Sequence, residues 1–234
     1  MDPTIDQQQW RDQVAAAVRS VKPITFGGTC WLRSALGAMA LTHLGMRPRP
    51  VIGGAVFRSG PDPTLDAVNF CGSSNYAEWV NGNPLFHVWL DVNGDIVDFA
   101  PGDWHQDADL IEAASVERDH SQNGMPSITW QVKPPEYVWQ PAATLAGRPG
   151  KTPALGELWY REGWKVPKEM QATVEAHFRD GNRYALDMAR PLWAAVKEML
   201  PDPLPQPPAR AEARRLRQMA KRASKSGGAL PPAA

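Results

Sequence analysis

The sequence predicts an α+β fold in which a buried, cysteine-bearing helix packs against an antiparallel sheet. Three observations predict it. An apolar helical segment begins beside Cys30, directly after the glycine-rich loop 27–29. Two β-rich segments flank Asn93-Gly94, a pair that is typical of a hairpin. Residues 168–200 have the spacing of apolar residues that indicates helix.

The composition indicates a globular protein with a substantial core. The chain has 234 residues, of which 43% are hydrophobic, so it is long and apolar enough to bury one. Its two cysteines are too few for a disulfide framework. It shows neither an N-terminal signal segment nor a run of 18 apolar residues. We therefore expect a cytoplasmic protein with no membrane contact.

The charge distribution divides the chain into a body and a tail. We expect one domain over residues 1–200, with the central motifs in 26–101 and a helical part in 167–200. The proline-rich residues 201–208 predict a stiff linker. The basic tail that follows is expected to be mobile and not to bind nucleic acid, because no aromatic residues interleave its charges. Residues 201–234 hold two acidic residues and seven basic ones: Arg210, Arg214, Arg215, Arg217, Lys221, Arg222 and Lys225.

A first amphipathic helix is predicted near the N-terminus. Thr4 and Gln7 have the spacing of a capping box, in which a hydroxyl and an amide side chain satisfy the first backbone N–H groups. Trp10, Val14 and Val18 follow at helical spacing and define its buried face.

The second predicted helix covers residues 31–44. Nearly every face is apolar, which is typical of a buried helix. Thr29 is expected to cap its N-terminus, and Gly45 and Pro48 are expected to end it. The main polar exceptions are Arg33, Ser34, Thr42 and His43.

The remaining elements have less regular patterns. Strands are predicted at 51–57, 67–71, 127–132 and 137–140, and helical turns at 76–80 and 107–114. Residues 158–164 are ambiguous. The C-terminal helical part is expected to be interrupted at Gly181 and kinked or broken before Pro191.

The hairpin is the best-defined local element. Asn93-Gly94 favours a two-residue type I′ turn that pairs Val92 with Asp95. This register places His87 and Asp98 diagonally on one face, where an imidazole and a carboxylate can meet. That face is expected to hold the polar groups, and the alternate residues are expected to form the core.

Cys30 is the candidate nucleophile. A helix N-terminus presents unpaired N–H groups and the positive end of the helix dipole, which stabilise a thiolate. A nucleophilic cysteine needs a base, and the base needs a group that orients it; His87 and Asp98 supply these residue types. In the alternative interpretation, Cys30 is a small buried hydrophobe and His87 a structural residue.

Three tryptophans lie near these positions in the sequence. Trp79, Trp89 and Trp104 are predicted to line a groove for an acyl substrate, although aromatic residues beside strands also serve as core. No histidine or cysteine pair, including Cys71 with His105, has the spacing of a zinc site. We expect no metal and no cofactor.

Several segments resemble a known family. They are Gly28-Thr29-Cys30 with its apolar helix, the Leu-Gly and Val-Ile-Gly segments within 44–54, His87-Val88-Trp89, and Ile96-Val97-Asp98-Phe99. Together they are similar to the cysteine helix, the His-Ala-Trp strand and the aspartate strand of the transglutaminase-like cysteine enzymes, in the papain-like superfamily. The resemblance implies a helix packed on an antiparallel sheet. It also implies Cys30 as nucleophile, His87 as general base and Asp98 as orienting acid.

The residues and the resemblance predict a cysteine hydrolase, either a protease or an amidohydrolase. It would form a thioester with a peptide, a protein or a small amide or ester. An acyltransferase that delivers the acyl group to an amine is one alternative, because the arylamine N-acetyltransferases use the same residue types in the same order. A non-catalytic binding protein is another, because no glutamine shortly before Cys30 offers a side-chain oxyanion donor.

Overall fold

The computed structural model describes residues 6–22, 29–61, 67–69, 87–104, 131–148, 151–163 and 168–204. Contacts within the chain divide it into two units, Met1–Pro201 and Asp202–Ala234. All the elements described below belong to the first unit. Two predicted helical turns, at 76–80 and 107–114, lie outside the described residues, as does most of the strand predicted at 127–132.

Along the chain, two helices precede five successive strands, and three further helices and a sixth strand follow. The helices are α1 Gln7–Arg19, α2 Thr29–His43, α3 Ala142–Leu145, α4 Lys168–Ala189 and α5 Trp193–Glu198. The strands are β1 Arg49–Arg58, β2 Ala67–Asn69, β3 His87–Val92, β4 Asp95–Asp98, β5 Val138–Pro141 and β6 Leu158–Glu162. Short 3₁₀ turns cover Pro101–Asp103 and Arg190–Leu192.

The six strands form one antiparallel sheet. β1 pairs with β2, β3 and β6, while β3 pairs with β4 and β4 with β5. Gly53 of β1 pairs with His87 on one edge and with Glu162 on the other, so β3 and β6 flank β1. This arrangement places β6 one strand away from β3, which carries His87, although the two strands are far apart in sequence.

The sheet curves into a half-barrel. After β5 and α3, the chain turns back beside β6, where Ala146 forms a parallel bridge with Tyr160. The N–H of Gly147 donates to the carbonyl oxygen of Tyr160 at 2.7 Å. The segment after β5 therefore covers the outer edge of β6 and encloses the concave face.

Both faces of the sheet are buried, which differs from the predicted division into one core face and one polar face. The helix α2 covers the face that carries Val88 and Leu90. The concave face holds a second apolar cluster, which includes Val51, Phe57, Trp89, Ile96, Trp104, Val138, Leu158 and Tyr160. The polar side chains of His87 and Asp98 are therefore enclosed by apolar neighbours.

Two sequence expectations about helices are wrong. Asp6, not Thr4, is the N-cap of α1: its side chain accepts a hydrogen bond from the N–H of Gln8 at 2.9 Å. The helix α4 also runs through Gly181 without interruption. A Cβ at Gly181 would lie 2.6 Å from Cζ2 of Trp31, so glycine permits close packing between α4 and α2.

Other sequence expectations are confirmed. Trp10, Val14 and Val18 form the buried face of α1, and Gly45 follows α2 with a φ of 84°. β1, the start of the weak strand at 67–71 and the strand near 137–140 lie where they were predicted. The ambiguous segment 158–164 contains β6, and the helical part breaks at the 3₁₀ turn that contains Pro191.

Candidate active site

Cys30 lies in the first turn of α2, at the end of the helix that meets the start of β3. Ser34 is on the same helix face, four residues later, and its hydroxyl donates to the carbonyl oxygen of Val88 at 3.0 Å. One turn further, Gly37 approaches Leu90 so closely that a Cβ would lie 3.1 Å from Cδ1. The helix therefore runs parallel to β3, with the partly exposed Cys30 at its N-terminal end.

The hairpin has the predicted register. Val92 pairs with Asp95, and Leu90 pairs with Val97. Asn93 and Gly94 have φ values of 57° and 92°, as a type I′ turn requires. The predicted juxtaposition of His87 and Asp98 on one face is confirmed by the contact described next.

His87 pairs with the aspartate and neighbours the cysteine. Its Nε2 lies 2.5 Å from Oδ2 of Asp98. Cys30 is near enough to the imidazole to raise its pKa. The fold therefore brings Cys30, His87 and Asp98 together in one place.

Asp98 is 2% exposed, yet its carboxylate has three hydrogen-bond partners. Oδ2 accepts from His87 and from the hydroxyl of Tyr160, which lies at 2.6 Å. Oδ1 accepts from the backbone N–H of Ala100 at 3.0 Å. Burying a carboxylate is costly unless its oxygens have hydrogen-bond partners, so these three contacts account for the burial of Asp98.

Opposing effects act on the pKa of His87. Burial lowers it, because the charged imidazolium loses water. The negative charge of Asp98 and its hydrogen bond raise it, and so does the contact with Cys30; the net result is a pKa of about 10 instead of 6.5. His87 is therefore an imidazolium at neutral pH, placed between a carboxylate and a sulfur.

Aromatic rings enclose the imidazole. Trp104 meets it edge-on with ring centroids 5.5 Å apart, Trp89 stacks at 6.1 Å, and Tyr160 is tilted at 6.2 Å. Trp89 and Trp104 are each 2% exposed and form walls around His87. Their assignment to a substrate groove stays a prediction, and Trp79 lies outside the described residues.

A buried ion pair supports the Trp104 wall. Arg33, one turn after Cys30 in α2, donates from Nε to Oδ2 of Asp103 at 2.7 Å and from Nη2 to Oδ1 at 3.2 Å. Its Nη1 donates to the carbonyl oxygens of Val18 and Val21 near the end of α1. Because Asp103 directly precedes Trp104, this network connects two helices to the residue that packs on His87.

Sequence reasoning missed Tyr160, Arg33 and Asp103 as parts of the site. The sequence does contain a signal for Arg33, because a charged residue inside an apolar helix needs a buried partner. Tyr160 gave only the alternation of a possible strand in the ambiguous segment 158–164. Its contact with Asp98 depends on β6 lying beside β1, which no local pattern predicts.

Neither a metal cluster nor a membrane helix is found in the part of the chain that the structure describes. No group of three or more His, Cys, Asp or Glu side chains there is arranged to hold a metal ion. None of the helices described combines the length and the apolar character needed to cross a bilayer.

Comparisons with known proteins identify no family. No protein-family model matches the chain, and no curated protein is significantly similar to it. The crystal structure of a genomics target is similar over 80% of this chain and 81% of its own chain, with 16% sequence identity and a TM-score of 0.42. A likeness at this level identifies neither a family nor a function.

Proposed function

We propose that this protein is a cysteine hydrolase that cleaves an amide or ester through a thioester. Cys30 is the nucleophile, His87 the general acid and base, and Asp98 the residue that orients His87. The observation that carries the proposal is the buried hydrogen bond between His87 and Asp98, beside a cysteine in the first turn of a helix that also acts on the pKa of His87. The resemblance to transglutaminase-like enzymes supports the same roles.

The first half-reaction acylates the sulfur. An imidazolium and a helix N-terminus both favour a thiolate at Cys30. The thiolate attacks the substrate carbonyl carbon, a C–S bond forms, and the carbonyl electrons move to oxygen. When the tetrahedral intermediate collapses, the bond to the leaving group breaks and His87 gives its proton to the departing nitrogen or oxygen.

The second half-reaction returns the enzyme to its starting state. The contact with Cys30 is one of the causes that raise the pKa of His87, and acylation removes the negative charge of the thiolate. The neutral imidazole then takes a proton from water while the water oxygen attacks the thioester carbon. The C–S bond breaks, and the carboxylic acid product leaves the thiolate and imidazolium in place.

The backbone N–H of Cys30 is suited to stabilise the negative oxygen of both tetrahedral intermediates. It belongs to the first turn of α2, where N–H groups have no acceptor within the helix. The dipole of the helix adds positive potential at the same place.

The decisive experiment measures the alkylation rate of Cys30. A Cys71→Ser background leaves Cys30 as the one thiol in the chain. With iodoacetamide at pH 7 we expect Cys30 to react faster than an ordinary exposed thiol, because a helix N-terminus and a neighbouring imidazole activate the sulfur. In His87→Ala the rate at the same pH should fall to that of an ordinary exposed thiol.

His43→Ala is the matched control. His43 ends α2 at its opposite end and packs edge-on against Trp193, so its removal should leave the alkylation rate unchanged. A wild-type rate no faster than that of His87→Ala would contradict the proposal and favour a non-catalytic binding protein.

Turnover distinguishes hydrolysis from acyl transfer. With p-nitrophenyl esters of different acyl chains, we expect a burst of nitrophenol followed by steady hydrolysis, and both should be lost in Cys30→Ser. Acceleration of the steady rate by an added primary amine, with the acyl-amine as product, would favour the acyltransferase alternative.

A further inference from the structure

We infer that Tyr160 is a positioning residue for the same site: its hydroxyl donates to the oxygen of Asp98 that also binds His87, and so controls how strongly Asp98 holds the imidazole. This inference rests on the proposed function, because it concerns how the acid and base of that reaction are set. In the proposed mechanism, Tyr160 contacts neither the sulfur nor the substrate.

The fold gives the Tyr160 hydroxyl a fixed position. Tyr160 pairs with Ala55 of β1 on one side of its strand, and Ala146 bridges to it on the other side. Its side chain is 3% exposed, and its ring packs edge-on against Trp89 with centroids 5.2 Å apart. The phenol therefore has no room to turn away from Asp98.

The chemistry of the contact favours the carboxylate. Oδ2 of Asp98 accepts from the Tyr160 hydroxyl at 2.6 Å and lies 2.5 Å from Nε2 of His87. Burial and the neighbouring carboxylate hold the pKa of Tyr160 well above 10. Tyr160 is therefore a phenol, and a hydrogen-bond donor, at every pH at which His87 titrates.

Removing this donor should move the His87 titration to higher pH. The phenol draws negative charge away from Oδ2, so without it the carboxylate holds the imidazolium proton more strongly. Among the described residues, the other titratable group in contact with His87 is Cys30 of α2. Asp103 in the following 3₁₀ turn is paired with Arg33.

Tyr160→Phe in the full chain tests the inference. With histidine labelled by ¹³C at Cε1, NMR reports the pH at which His87 loses its proton. We expect this pH to rise by about one unit, because a hydrogen bond to a charged group has an effect of that size.

Tyr137→Phe is the matched control. The Tyr137 hydroxyl donates to Oδ1 of Asp12 at 2.6 Å, so the variant deletes the same phenol–carboxylate bond away from His87. Its His87 titration should not change.

A second substitution keeps the test decisive if Tyr160→Phe does not fold. Placing 3-fluorotyrosine at position 160 gives a more acidic phenol and a stronger donor, so the His87 titration should move to lower pH. A titration that is unchanged in the folded variants, even with a lower unfolding temperature, would show a purely structural role and overturn the inference.

The two proposals fail in different ways. The NMR titration reads the imidazole itself and needs no substrate. A shifted titration in a chain without turnover would overturn the hydrolase and leave the role of Tyr160 intact. Turnover together with an unshifted titration would support the hydrolase and overturn the role of Tyr160.

Discussion

Arg33 shows how one charged side chain is accommodated inside an apolar helix. It is 2% exposed, and its guanidinium makes four hydrogen bonds, two to Asp103 and two to backbone carbonyl oxygens. A planar group with several donors suits this arrangement, which a lysine would not reproduce. Removing either partner therefore leaves the other charge buried without its main contact.

We expect Arg33→Met to destabilise the fold by about 3–5 kcal/mol, because it leaves Asp103 buried without its main partner. Asp103→Asn should also destabilise it. The free energy of unfolding should fall less in the double variant than the sum of the two single decreases, since neither charge then remains unpaired. Urea unfolding of the four proteins measures these free energies.

The control for this cycle is Arg190→Met. Arg190 forms an ion pair with Asp187 at 3.0 Å, but the two side chains are 72% and 55% exposed. Its loss should change the free energy of unfolding by less than about 1 kcal/mol. An Arg33→Met variant as stable as Arg190→Met would mean that the buried network contributes little.

At the scale of elements, the distance between α2 and the sheet decides where the sulfur lies. Ser34 bonds to β3, and Gly37 brings the helix axis close to the sheet one turn later. Because the helix is stiff, these two contacts also set the height of Cys30 above His87. The packing of the helix and the geometry of the candidate site are therefore linked.

Gly37→Ala should destabilise the protein even though alanine favours helix. The new Cβ would lie 2.6 Å from Cδ2 of Phe99, so the helix or the ring must shift. Overpacking of this kind costs about 1–3 kcal/mol, more than the gain of about 1 kcal/mol in helix propensity. Urea unfolding measures the balance.

Ala38→Gly serves as the comparison for Gly37→Ala. Ala38 is the next residue of α2 and is half-buried, so its loss should cost about 1 kcal/mol through helix propensity alone. If Gly37→Ala proved more stable than wild type, the close approach of α2 to Phe99 would be contradicted.

At the scale of the whole molecule, sequence reasoning succeeded where the decisive contacts are local. The Asn93-Gly94 turn sets the register that brings Asp98 to His87, and the apolar pattern of α2 indicates its burial. Tyr160 could not be found in this way, because its place beside Asp98 depends on the pairing of β6 with β1. The enclosed concave face was missed for the same reason.

The central ion pair should make the stability of the whole molecule depend on pH. In a Cys30→Ala background, which removes the titrating thiol, Asp98 still raises the pKa of His87 above its unfolded value of ~6.5. The folded state then binds the proton more tightly than the unfolded state. The resulting stabilisation is complete below pH 6.5 and is lost as the pH rises towards the folded pKa, by at most about 1.4 kcal/mol per unit.

Asp98→Asn in the same background should remove this fall. Without the carboxylate, burial lowers the pKa of His87, so folded and unfolded chains both carry a neutral imidazole above pH 7. Urea unfolding of the Cys30→Ala protein and its Asp98→Asn derivative, from pH 6 to pH 9, measures this effect. The difference between their free energies of unfolding should decline as the pH rises. The effects of all other titrating groups cancel in this difference. A constant difference would mean that Asp98 does not hold a proton on His87, and the acid–base roles assigned to this pair would lose their physical basis.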